Sequence, residues 1–220
     1  MDGDFSPKPA PTGLHLVVVG AGYVGLVSAA CLADLGHAVT CVDTDSDRIR
    51  ALRAGCAPFF EPGLEGLMAR NMAAGRLGFA PALPPMDGVS ALFIAVGTPA
   101  LGEGLGADLS AVLDVARQVA PRLPPGALLV TKSTVPPGTG DAIEEIVRTG
   151  PPELRAQVVS NPEFLREGSA ISDFQAPDRL VIGGETPEAL ARMKAIYQPL
   201  LATGAPVLMT RRRTAELVKY

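Results

Sequence analysis

At 220 residues the chain is long enough for one large domain, or for one domain and the start of another. Hydrophobic residues make up 47% and charged residues 19%, which supports a sizeable buried core and excludes a disordered polymer. The formal net charge of -4 argues against a nucleic-acid surface, and no apolar run approaches the ~18 residues of a membrane span.

Residues 1–13 hold four prolines or glycines among the first eleven and no apolar core, so they read as a disordered leader and not a signal peptide. Strands are then expected at 14–19, 38–42, 75–79, 91–96, 127–132, 157–160, 179–182 and 207–209. Between them fall helical patterns at 23–35, 46–53, 64–74, 109–120, 138–148 and 187–200, and a last helix starts at 214–220. Strict β/α alternation implies an α/β fold, a doubly wound parallel sheet with right-handed crossovers and helices on both faces. Nothing splits 14–210, which reads as one domain. Cys31, Cys41 and Cys56 are an odd set without metal spacing. The first two sit in apolar patterns as buried thiols, and a reducing cytoplasm fits. No metal is expected. Lysine stands only at positions 8, 132, 194 and 219.

Gly20-Ala21-Gly22-Tyr23-Val24-Gly25 follows the first strand and opens a helix. The first glycine allows the tight turn, the second lets a pyrophosphate approach the backbone, and the third allows close helix–strand packing. The helix start then offers free amides and a positive dipole end to phosphates. Asp43 ends the second strand, where a carboxylate accepts both ribose hydroxyls and repels a 2′-phosphate, so NAD is expected over NADP. Asp45 or Asp47 reads equally well as a helix N-cap.

Two further strands end in small or hydroxyl residues: Val96-Gly97-Thr98-Pro99 and Lys132-Ser133-Thr134-Val135-Pro136-Pro137-Gly138. Carboxyl ends of strands near the switch point are where ligands bind in such sheets, although each also reads as an ordinary strand-terminating turn. Ser160-Asn161-Pro162-Glu163-Phe164-Leu165-Arg166-Glu167-Gly168 spaces two carboxylates four residues apart. On a helical turn they share a face and serve proton transfer; otherwise the segment is a solvated acidic turn. Arg211-Arg212-Arg213 reads as a solvated charge run, and Lys219 in isolation as surface.

Together these segments, with Phe59-Phe60-Glu61-Pro62-Gly63-Leu64, Ala107-Asp108-Leu109, Pro177-Asp178-Arg179 and Ala215-Glu216-Leu217-Val218-Lys219-Tyr220, resemble the nucleotide-sugar 6-dehydrogenases, the UDP-glucose/GDP-mannose dehydrogenase family. The likeness runs from Leu14 to Tyr220. It implies a Rossmann-type NAD-binding domain and a sugar C6 alcohol oxidised to a carboxylate with two NAD+ through an enzyme-bound thioester. It implies cofactor contacts from Gly20, Ala21, Gly22, Tyr23, Val24, Gly25, Asp43, Arg48, Thr98, Thr134 and Glu167. A UDP-sugar would lie on Glu163, Phe164, Leu165, Arg166, Glu167 and Lys219. Glu163 would be the acid/base residue, Thr134 would place a water or the cofactor, and Lys219 would stabilise oxyanion charge. The 177–183 segment favours the UDP-glucose branch over GDP-mannose or UDP-N-acetylmannosamine. The family's nucleophilic cysteine lies in a later segment, so the chain is expected to be the cofactor half of a longer enzyme, without turnover alone. Its last helix, from Thr214, would open the connection to a substrate domain, and through that helix a homodimer would form.

Overall fold

Among the described residues, runs of four to six residues form eight strands, most of them buried between the connecting helices; the last, with Leu208 and Met209 exposed, is not. The computed structural model describes residues 13–102, 106–150, 152 and 155–219. Residues 1–12 of the expected leader, and Tyr220, lie outside the described residues. The first half runs β1 (His15–Val19), α1 (Tyr23–Asp34), β2 (Ala38–Val42), α2 (Ser46–Arg53), α3 (Leu64–Ala73), β3 (Leu77–Ala80) and β4 (Val89–Ile94). The second runs α4 (Ser110–Val119), β5 (Leu128–Thr131), α5 (Thr139–Arg148), β6 (Gln157–Ser160), α6 (Ala170–Gln175) and β7 (Leu180–Gly184). It closes with α7 (Pro187–Ile196), α8 (Gln198–Ala202), β8 (Val207–Thr210) and α9 (Arg212–Lys219).

The strands form one sheet in the order β3-β2-β1-β4-β5-β6-β7-β8. Alternate residues serve two cores. Leu16, Val18, Val39, Cys41, Phe93 and Val130 pack on one face with α1 and α3; Val17, Leu92, Ile94 and Leu129 pack on the other with α4 and α5. Strand order reverses between β1 and β4, which creates a crevice at their carboxyl ends. Cys31 and Cys41 are buried as expected, and burial pushes the Cys31 thiol up to about 12. Cys56 is exposed.

Four expectations need correction. The sheet is not wholly parallel: β6 pairs antiparallel with β7, and β8 then runs parallel to β7. The chain between β6 and β7 contains only the six-residue α6 and never crosses a face of the sheet, so it re-enters from the edge it left. That helix was not expected. The 187–200 helix is broken at Tyr197, because Pro199 has no amide to continue the ladder. Arg212 is no solvated charge. It is buried, its Nη2 on Asp141 at 2.9 Å and on Glu144, with Glu185 at 4.0 Å from Nε. Elsewhere element bounds differ from expectation by at most two residues, and 38–42, 46–53 and 157–160 match.

α9 is docked at both ends. Arg212 holds it to α5, and the buried Glu216 accepts from the amides of Gly138 at 2.6 Å and Gly140 at 2.7 Å, and from Ser160 Oγ at 3.1 Å. Gly140 exists for this contact: a Cβ there would stand 2.8 Å from Glu216 Oε1. α9 starts against Gly183, level with Ser160 at the end of β6, and ends at Lys219 beside Glu163.

Candidate active site at the carboxyl edge of the sheet

The first component is the turn between β1 and α1. Gly20 has φ 104°, and a Cβ on it would meet Ala95 O at 2.5 Å. A Cβ on Gly25 would meet Gly20 O at 1.8 Å, so neither glycine can be replaced without moving backbone. Gly22 differs: it is exposed, and its Cβ would enter open space. The first i→i−4 bond of α1 runs from Leu26 N to Gly22 O at 2.9 Å, leaving the amides of Gly22 to Gly25 without helical acceptors. An open floor of free amides with no side chain above it fits a pyrophosphate.

Asp43, at the end of β2, closes this turn. Its Oδ2 accepts from Ala21 N at 2.8 Å and Arg48 Nη1 at 2.8 Å, and its Oδ1 from Asp45 N at 3.0 Å. Burial works to raise its pKa, but the two amides and the guanidinium outweigh it and hold the carboxyl below the usual range. Asp45, not Asp43, caps α2, accepting from Asp47 N and Arg48 N.

The ends of β4 and β5 are sewn together. Thr98 Oγ1 donates to the Thr134 carbonyl at 2.8 Å, and Ser133 Oγ to the Val96 carbonyl at 2.7 Å. Both threonines are half-buried.

Beyond β6 the chain is extended from Asn161 to Arg166 and turns only at Glu167, so Glu163 and Glu167 do not share a helical face. Pro162 keeps Asn161 out of the helical region, and Glu163 Oε2 instead accepts from Leu165 N at 2.6 Å. Its other oxygen meets Lys219 Nζ, at the end of α9, at 2.8 Å, with Glu163 9% and Lys219 24% exposed. Lys219, which in isolation reads as surface, is thus brought against Glu163 and partly buried. Two cations stand over the Phe164 ring, Arg179 at 4.7 Å and Lys219 at 5.5 Å from its centroid. Arg166 pairs with Asp173 at 2.7 Å, and Glu167 is exposed, near enough to Tyr23 for its charge to help raise that phenol's pKa.

Glu163, Phe164, Leu165 and Arg166 line a cavity of about 480 Å³ with Lys132, Tyr197 and Arg179. Lys132 is a residue that sequence reasoning left without a role. It is buried, with Nζ 3.3 Å from Asn161 Oδ1, which also accepts from Tyr197 Oη at 2.7 Å. Burial pushes its ammonium down to about 8, Glu163 acting against this and Lys219 with it. Its signals in the sequence were the scarcity of lysine and its place at the carboxyl end of a strand.

Crevice, glycine turn and acidic strand end define a Rossmann-type NAD-binding domain. The model of the UDP-glucose/GDP-mannose dehydrogenase family, NAD binding domain, matches residues 14–201, and the chain belongs to that family. It is 50% identical over 210 residues to a UDP-glucose 6-dehydrogenase of Rhizobium meliloti, a match covering 94% of this chain and 48% of that protein. Its fold superposes on a UDP-glucose dehydrogenase from the hyperthermophilic archaeon Pyrobaculum islandicum with a TM-score of 0.86 at 41% identity, covering 98% of this chain and 50% of that one. GDP-mannose dehydrogenase of Pseudomonas aeruginosa follows at TM-score 0.83 and 33% identity, over 93% of this chain and 48% of that chain. The chain spans about half the length of the curated relatives it matches.

Proposed function

We propose that these residues form the cofactor half of an enzyme that oxidises C6 of UDP-glucose to a carboxylate, consuming two NAD+ per sugar. The observation that carries this reading is the Glu163–Lys219 pair, 2.8 Å apart and largely shielded from water, where cavity and strand ends meet. NAD+, when bound, supplies the hydride acceptor. Gly22 to Gly25 would take its pyrophosphate on free amides, and Asp43 with Arg48 its adenosine ribose. Thr98, Thr134 and Glu167 would hold its nicotinamide end.

Glu163 Oε1 would exchange its contact with Lys219 for the sugar's 6-hydroxyl and accept its proton. The Lys219 ammonium, released from Glu163, would then face the negative charge that develops on that oxygen. Phe164, Leu165 and Arg166 would bind the nucleotide sugar along the extended segment, and Arg179, stacked on Phe164, adds a cation suited to its phosphates. The family's thioester requires a thiolate. None of Cys31, Cys41 and Cys56 lines the cavity, and two are buried, which supports a nucleophile from outside these residues. A homodimer extending from α9, acting in the cytoplasm, completes the proposal. Among the described residues no helix is long and apolar enough to cross a membrane.

Glu163→Gln tests it in a full-length enzyme carrying these residues. Turnover should fall by about 10²–10⁴ while UDP-glucose binding changes little, because the amide fills the same space. Wild-type turnover in the variant discards the catalytic role. A loss confined to binding recasts Glu163 as a substrate clamp.

A further inference from the structure

A hydroxyl in the glycine turn and a carboxylate from outside it meet against the far end of the acidic segment. Tyr23, the first residue of α1, donates from Oη to Glu61 Oε2 at 2.6 Å. The same carboxylate oxygen accepts from Gly168 N at 2.8 Å, and Oε1 accepts from Ala170 N at 2.8 Å. Tyr23 Oη also lies 3.2 Å from the Arg166 carbonyl. Glu61 is 5% exposed, and the Tyr23 ring leans on Phe59 at 4.9 Å between centroids. Glu61 is not among the residues that line the 480 Å³ cavity.

The arrangement exceeds what a cap for α6 needs. Two amides satisfy a carboxylate at a helix start, whereas the third donor here is a side chain of the nucleotide turn. Charge-assisted bonds of this kind are short and direction-sensitive, so movement at one donor is felt at the others. Burial works to raise the pKa of Glu61, but Tyr23 and the amides of Gly168, Ala170 and Ile171 outweigh it and keep the carboxyl below its usual range. It therefore stays charged and holds all its donors at neutral pH.

We propose that Glu61 is a positioning residue that couples cofactor binding at the 20–25 turn to the setting of the 163–170 segment through the Tyr23 hydroxyl. This rests on reading the turn as the NAD site and the segment as the sugar site. A pyrophosphate on the amides of Gly22 to Gly25 fixes the first turn of α1 and with it the Tyr23 side chain. Tyr23 fixes Glu61, and Glu61 fixes the amides just beyond Glu163 and Glu167. Coupling of this kind is reciprocal, so order in the segment favours cofactor in turn.

Amide exchange of the 220-residue chain, with and without saturating NAD+, tests the link. In the unmodified chain NAD+ should slow exchange at Gly168 and Ala170 by about fivefold or more. In Tyr23→Phe the backbone amides, the ring and the α6 cap remain; with NAD+ raised until titration shows the variant saturated, the gain at these two amides should vanish. Glu61→Gln, which sets an amide group against Tyr23 or Gly168, should lose the gain as well. If Glu61 only caps α6, Tyr23→Phe leaves the NAD+-dependent gain intact, and that result overturns the proposal. So does an unmodified chain that binds NAD+ with no gain at Gly168 and Ala170. An unmodified chain that fails to bind NAD+ removes the cofactor reading itself, and the coupling falls with it.

Discussion

Asp43 should set the choice between NAD+ and NADP+, and Asp43→Asn isolates its charge. The carboxylate has about four acceptor positions. Ala21 N, Arg48 Nη1 and Asp45 N take three, which leaves room for one ribose hydroxyl unless Arg48 yields. A 2′-phosphate would bring about two negative charges to within ~4 Å of it. At an effective dielectric between ~80 and ~20 each charge pair costs about 1–4 kcal/mol. The Asp43 side chain is 11% exposed, but the Arg48 guanidinium and two amides already offset its charge, so the lower part of that range applies, about 2–4 kcal/mol in total. NAD+ should therefore bind the wild-type chain about 30- to 1000-fold more tightly than NADP+. Asp43→Asn exchanges a charged acceptor for a neutral one and should weaken NAD+ only about fivefold, roughly 1 kcal/mol. It also removes the repulsion and releases Arg48, whose guanidinium suits a phosphate, so NADP+ binding should strengthen and the ratio drop below about tenfold. Isothermal titration of both cofactors at about 0.15 M ionic strength reads this directly. Equal affinities in the wild-type chain, or a ratio that Asp43→Asn leaves unchanged, would refute the reasoning.

Gly22→Ala should leave the thermal midpoint unaltered, because its Cβ meets nothing, yet weaken NAD+ binding by obstructing the pyrophosphate; Gly20→Ala should lower both. A Gly22→Ala chain with full NAD+ affinity sinks the assignment of the turn. Glu216→Ala strands the amides of Gly138 and Gly140 and the Ser160 hydroxyl and should cost about 2–4 kcal/mol in urea unfolding; a change below about 0.5 kcal/mol would show that α9 is not held there. Acid should destabilise the chain in two stages. Burial lowers the pKa of His37, whose Nδ1 accepts from Leu14 N at 3.1 Å while Nε2 contacts the Ile196 carbonyl at 2.7 Å. The unfolded imidazole gains its proton near pH 6.5, so stability present above about that pH is lost as pH falls toward the lower folded value. Asp43, Glu61 and Asp173, all depressed in the fold, add a second loss below about pH 4. Urea midpoints that stay level from pH 7 to 5 would count against a neutral His37.

The nucleotide half of the fold is legible because its signals are local. Apolar strands, three glycines with distinct backbone duties and an acid at the next strand end all fall within Leu14 to Asp43, and each has a physical meaning at its own position. What escapes depends on partners far along the chain. The direction of β7 follows from where the connection lies, and nothing in the hydrophobic pattern of 179–182 records it. α6 is too short for a helical period to show, and its start is held by Glu61, 109 residues away from Ala170. Arg212 reads as a solvated charge until Asp141, Glu144 and Glu185 come together around it. Glu163 and Glu167 suggest a helical pair by spacing alone, but Pro162 and the Leu165 amide bond commit the segment to an extended path.

The course of α9 also decides where a tether would lead. Were the helix to run the opposite way, a peptide appended after residue 220 would have to retrace it, 12 Å or so at about 1.5 Å per residue. As the helix runs, an appended peptide begins beside Lys219 and Glu163. A short linker would then present its cargo to the cavity at an effective concentration in the millimolar range. A weak ligand or a donor of one reactive side chain, fused at that point, would work as though it were abundant in solution.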